Sequence, residues 1–95
     1  MALNGTWQDQ HGNVLRLVDG NDGTISGTYA NASLVGTYSL AGSGIPLPLG
    51  WSYSVGLANV TFCGYLNGNG TMLMIFVSAQ PGVPPSTGTD TFVQV

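Results

Sequence analysis

Few residues of this chain could do bond-making chemistry, and their types restrict what that chemistry would be. The acids are Asp9, Asp19, Asp22 and Asp90, the bases are Arg16 and His11, and Cys63 is the single thiol. Asp9 and Asp90 are the candidates for paired carboxylates, a pairing that would need a carbohydrate held between them. His11 with Asp9 nearby completes neither a metal site nor a nucleophile triad; it reads either as an exposed turn residue or as a pocket edge. Serine and threonine are abundant, but no Gly-x-Ser-x-Gly elbow occurs, and no glycine-rich loop precedes a helix. The expectation is a protein that is not an enzyme, with no catalytic residues, no metal and no cofactor.

Charge narrows the partners further. The net charge is -3 and lysine is absent, so no basic stripe exists to neutralise phosphates, and neither nucleic acid nor an anionic membrane is an expected partner. Charged residues make up only 5% of the chain, so solubility rests on Ser, Thr, Asn, Gln and Gly. One cysteine excludes an internal disulfide and a cysteine-based zinc site, and Cys63 is expected to be a small buried hydrophobe. No apolar run reaches the ~18 residues of a membrane-spanning helix.

These side chains must be positioned by strands. In NVLRLVDGNDGTISGTY, Asn13 to Tyr29, residues of one face alternate with those of the other on both sides of Asp19-Gly-Asn-Asp-Gly23, a connector of residues that tolerate positive φ. That is a hairpin. The same device recurs: a first strand over about Gly5 to Asp9, a fourth from Leu34 to Leu40, a fifth over Gly50 to Gly56 and a sixth over Asn59 to Leu66. The turn Asn67-Gly-Asn-Gly70 leads into a seventh strand, Thr71 to Ser78, and Gly88 to Val95 forms the eighth. The segments 41–48 and 80–86 carry prolines, which lack ladder donors, and are expected to be loops. No stretch has helical spacing. The 95 residues are expected to form one all-β domain, a sandwich or barrel.

Gly5-Thr6-Trp7, a strand, an Asp-Gly turn, a strand, Gly27-Thr28-Tyr29 and the closing Gly88-Thr89-Asp90-Thr91-Phe92 follow one another in an order that resembles the avidin and streptavidin family. The resemblance implies an eight-stranded antiparallel up-and-down β-barrel that binds biotin or a similar small molecule at one mouth. It places Tyr29, Asn13 and Asp9 around the ureido oxygen of such a ligand, with Asn13 in place of a serine and Asp9 in place of an asparagine. Asp90 takes the position of the aspartate that accepts from a ureido N–H. Val55, Phe62 and Ile75 take the ring positions of strands five, six and seven, while His11 and Asn31 fall at the pocket edge. Val60 and Ala58 replace hydroxyl positions, and Trp7, Trp51, Tyr38, Tyr53 and Phe92 are expected to fill the core.

Two consequences follow for the ligand. An asparagine amide donates to a carbonyl oxygen, whereas an ionised Asp9 only accepts, and two of the three wall rings would be missing, so biotin affinity is expected to be weakened. Strand seven, with Met72 to Val77 apolar on both faces, calls for cover from another subunit, and a homodimer or homotetramer is expected. The N-terminus lacks a basic segment followed by an apolar one, which suits a mature or a cytosolic chain; the resemblance implies a secreted protein whose signal peptide is not present in this chain. The competing expectation is a non-catalytic interaction or lectin-like barrel that no longer binds biotin and acts through its oligomeric surface.

Overall fold

The computed structural model describes residues 3–40 and 46–95. They form eight strands: β1 (Gly5–Asp9), β2 (Val14–Asp19), β3 (Thr24–Tyr29), β4 (Ala32–Tyr38), β5 (Leu47–Val55), β6 (Ala58–Leu66), β7 (Thr71–Ala79) and β8 (Ser86–Gln94). Each pairs antiparallel with the next, and β8 returns to β1, so the sheet is a closed up-and-down barrel with no helix among the described residues. Closure leaves no unpaired edge for another chain to extend.

The turns explain themselves residue by residue. Between β2 and β3, Asn21 and Gly23 take the positive φ values that the connector was expected to need, and the Gly20 N–H donates to the Thr24 carbonyl at 2.9 Å. Ala30 and Asn31, both at positive φ, make the tight turn into β4, which starts at Ala32, two residues before the expected Leu34. The fifth strand also begins early. Leu47 and Pro48 pair with Leu66 and Tyr65, and the Pro48 carbonyl accepts from the Ser39 N–H at 3.0 Å. Proline is tolerated there because it lies near the start of the strand, beyond Tyr38, where the β4 ladder has ended. Residues 41–45 of the expected proline-bearing loop lie outside the described residues.

Alternation fills the interior. Leu15 and Leu17 of β2, Ile25 and Tyr29 of β3, Leu49 and Trp51 of β5, Val60, Phe62 and Leu66 of β6, and Met72 and Met74 of β7 are buried. Leu3, Leu17, Leu49, Leu66 and Met72 crowd one end, and Trp7 Nε1 donates to the Leu3 carbonyl at 3.3 Å. The other end carries rings. Trp7, Trp51 and Phe92 are core residues as expected, at 1%, 2% and 0% exposure. Tyr38 is half-buried and its hydroxyl donates to Asp19.

Cys63 is exposed, contrary to expectation. It stands between the inward Phe62 and Gly64 of β6, so the pleat turns it outward beside Ile75, its partner on β7. The barrel is also tight enough that certain strands require glycine. Gly36 of β4 lies opposite Trp51, and a methyl group there would come within 2.0 Å of the Gly50 carbonyl oxygen and 2.8 Å of Trp51 Cβ. Gly36→Ala is therefore expected to destabilise the fold by about 1–3 kcal/mol, the usual cost of overpacking. Denaturant unfolding checks this, with a midpoint unchanged from the parent as the opposing result.

Candidate functional site

Barrel closure assembles the site. The β1–β8 register pairs Asp9 with Phe92, which brings the end of β1 alongside Asp90 two residues away on β8. The β2–β3 register pairs Leu15 with Tyr29, setting Tyr29 beside the β1–β2 turn that carries His11 and Asn13. A cavity of about 490 Å³ opens at this mouth, lined by Asn13, Tyr29, Tyr53, Phe62, Phe76, Asp90 and their neighbours, with His11 at the rim. The volume is in the range of small-molecule sites.

Asp9 is 6% exposed and receives four donors. The His11 and Asn13 backbone N–H groups each donate to Oδ1 at 2.9 Å, Asn13 Nδ2 donates to Oδ2 at 3.1 Å, and the Tyr29 hydroxyl donates to Oδ2 at 2.6 Å. Burial by itself would raise the Asp9 carboxyl, but the bonds from Tyr29, Asn13 and His11 together outweigh it and hold the group below its ordinary value. Burial, reinforced by the bond to Asp9, drives the Tyr29 phenol well above its ordinary value.

Asp90 has the opposite character. It is 5% exposed, and burial followed by repulsion from Asp9 raises its carboxyl, while His11 and a bond from Gln10 offset part of that rise. Gln10 Nε2 donates to Asp90 Oδ1 at 2.9 Å, and His11 Nε2 lies 3.8 Å from the same oxygen. Oδ2 has no hydrogen-bond partner among the described residues. Gln10 also donates to the Thr89 carbonyl and accepts from the Thr91 N–H, so its amide extends the β1–β8 seam past the last ladder pair. No local sequence pattern marks this residue.

The walls are aromatic. Phe62 lies 5.3 Å from Tyr29, 6.3 Å from Tyr53 and 5.4 Å from Phe76, centroid to centroid, and rests on Trp51 at 5.1 Å. Tyr53 and Phe76, rather than Val55 and Ile75, supply the rings of β5 and β7. Val55 shares the inward parity of Tyr53, but it is the last residue of β5, past the rim, and is 56% exposed. Ile75 lies one residue from Phe76, which puts it on the opposite face of the pleat, where it is 60% exposed. Gly88 makes room for Phe76, since a methyl group there would meet the ring at 2.5 Å. Tyr53, expected in the core, is half-buried and borders the cavity, which Val60, Ser78 and Thr89 also line.

Of the expected site residues, the mouth brings together Asp9, His11, Asn13, Tyr29, Phe62 and Asp90. Asn31 is exposed in the β3–β4 turn and does not line the cavity; its positive φ accounts for its type. Among the described residues no group of three or more His, Cys, Asp or Glu side chains is placed to hold a metal ion. No family model and no curated protein matches this chain.

The two carboxylates give stability opposite pH slopes. As pH falls from neutrality, folded Asp90 takes up its proton before the unfolded chain does, so the fold gains stability down to the ordinary carboxylate value of about 3.9. Below that, the unfolded chain protonates while folded Asp9, and exposed Asp22 with its Thr24 bonds, hold out, and stability is lost as pH falls through their lowered values. Asp90→Asn should therefore melt higher than the parent at pH 7, with the gap closing as pH falls towards the ordinary carboxylate value of about 3.9. Thermal scans across pH check this, and a lower melting temperature for Asp90→Asn at pH 7 would contradict it.

Proposed function

We propose that this chain is a non-catalytic, small-molecule-binding barrel whose ligand is of the biotin type: a compact ring with N–H donors and an apolar body. The observation that carries the reading is Asp90. Its buried carboxylate keeps one oxygen without a protein partner, beside a cavity walled by Tyr29, Tyr53, Phe62 and Phe76. A ligand N–H would satisfy that oxygen, and the rings would cover the ligand's apolar faces. The motifs at the two ends of the chain, which resemble those of avidins, agree with this assignment.

Biotin itself is expected to bind weakly, on one of the two grounds that the sequence suggested. Three wall rings are in place; the handicap is Asp9, which draws the Tyr29 hydroxyl and the Asn13 amide away from any ligand carbonyl. Asp9→Asn should tighten biotin by about 1–3 kcal/mol, the scale for relieving an unsuitable charged partner, and Asp90→Ala should weaken it by a similar amount. Calorimetric titration of both variants decides this. If neither substitution changes the affinity, the ligand lies elsewhere.

A second reading, a barrel acting through its surface, is favoured by the outer face of β6 and β7. Tyr65, Leu73, Ile75 and Val77 are all exposed there, beside Cys63. We assign this apolar strip to self-association, as a homodimer or homotetramer, compatible with a ligand in the mouth. Light scattering should give a mass above one chain at micromolar concentration, and Ile75→Lys should lower it. A monomeric parent would remove the proposal.

A further inference from the structure

We propose that the mouth selects a planar, N–H-rich cation, a guanidinium or amidinium group, over the neutral urea of the same shape. The inference rests on the pocket reading above and concerns the charge of the group that the pocket takes.

The hydrogen-bond polarity of the mouth is set by Asp9. An ionised carboxylate only accepts, so Asn13 must turn its NH₂ toward it, and the observed Nδ2 contacts go to Asp9 Oδ2 at 3.1 Å and to the Tyr29 hydroxyl oxygen at 3.3 Å. What Asn13 has left for a ligand is its carbonyl oxygen. Tyr29 donates its hydroxyl hydrogen to a bond with Asp9 and already accepts from Asn13, so it can offer a ligand only an oxygen lone pair. Asp90 contributes Oδ2, an anionic acceptor. The side chains best placed to fix a polar ligand head are thus acceptors, and the remaining hydroxyls of the lining residues, on Tyr53, Ser78 and Thr89, can accept as well as donate.

Charge and shape point the same way. Two buried carboxylates serve one mouth, Asp90 in the cavity lining and Asp9 bonded to the lining residues Asn13 and Tyr29; the chain has no lysine, and its only arginine, Arg16, is exposed on β2 rather than lining the cavity. His11 stands at the rim with its side chain 68% exposed, so a counter-charge entering the cavity meets little competition. The walls are the faces and edges of Tyr29, Tyr53, Phe62 and Phe76, which attract a cation through their ring quadrupoles. Guanidinium is planar, weakly hydrated and stacks on aromatic rings, and it presents N–H donors in several directions at once. A urea places a carbonyl oxygen where this mouth has an acceptor, so it leaves an unfavourable oxygen-to-oxygen contact.

Phenylguanidinium and phenylurea differ at that one position and provide the test. By calorimetry on the parent protein at pH 7, phenylguanidinium should bind at least about tenfold more tightly than phenylurea, as expected of charge-assisted over neutral hydrogen bonds. The preference should shrink severalfold in Asp9→Asn, which removes a charge and returns the donors, and raising the salt concentration should weaken the guanidinium alone. Phenylurea binding as tightly as phenylguanidinium, or more tightly, overturns the inference and leaves the pocket reading standing. Failure of both compounds to bind overturns both. Should Asp9→Asn not fold, the parent protein's preference and its salt dependence carry the decision.

Discussion

The arrangement of this barrel's mouth depends on one carboxylate, that of Asp9, and on the donors gathered around it. Two backbone N–H groups of the β1–β2 turn, the Asn13 amide and the Tyr29 hydroxyl all converge on its two oxygens. A buried anion without such partners would cost several kcal/mol, and removing them one by one would be felt as a loss of fold. Their presence ties the first turn to the end of β3 and fixes the direction in which Asn13 and Tyr29 present their remaining atoms. The polarity of the cavity is therefore decided by a residue that the cavity's ligand need not touch.

Asp90 shows the other side of the same constraint. The Tyr29 hydroxyl and the Asn13 amide donate to Asp9, and Gln10 supplies Asp90 with a bond to only one of its oxygens. Its carboxyl is raised by burial and by its neighbour's charge, which is a cost to the folded protein at neutral pH. Costs of this kind are typical of groups kept for binding rather than for stability. The rings of Tyr29, Tyr53 and Phe62 hold the cavity open by packing on one another and on Trp51, so Asp90 Oδ2 stays open to the cavity.

Much of the fold was legible because alternation and turn chemistry agree in this chain. β1, β6 and the β2–β3 hairpin stand within a residue or so of their expected bounds, since Asn and Gly mark where each strand must stop. The parity of β7 was not legible. Met72 to Val77 are apolar without a break, so nothing local distinguishes Ile75 from Phe76; only pairing with β8, where Phe76 meets the small Gly88 and Met74 meets Asp90, turns Phe76 inward. Val55 was misplaced for a different reason, because parity tells the face of a strand and not the depth at which a wall ends. The early start of β5 at Leu47 escaped because a proline argues against a strand except near its ends. Gln10, whose side chain replaces a ladder pair across 80 residues of sequence, leaves no trace in any local pattern.

The central claim is that the two carboxylates are electrostatically unequal, Asp9 saturated with donors and Asp90 left to accept. Carbon-detected NMR titration of the two carboxyl groups in the labelled protein measures this directly. Asp9 should titrate below the ordinary aspartate value of about 3.9 and Asp90 above it, in one and the same sample. Coincident titrations, or an Asp9 that titrates above Asp90, would contradict the account.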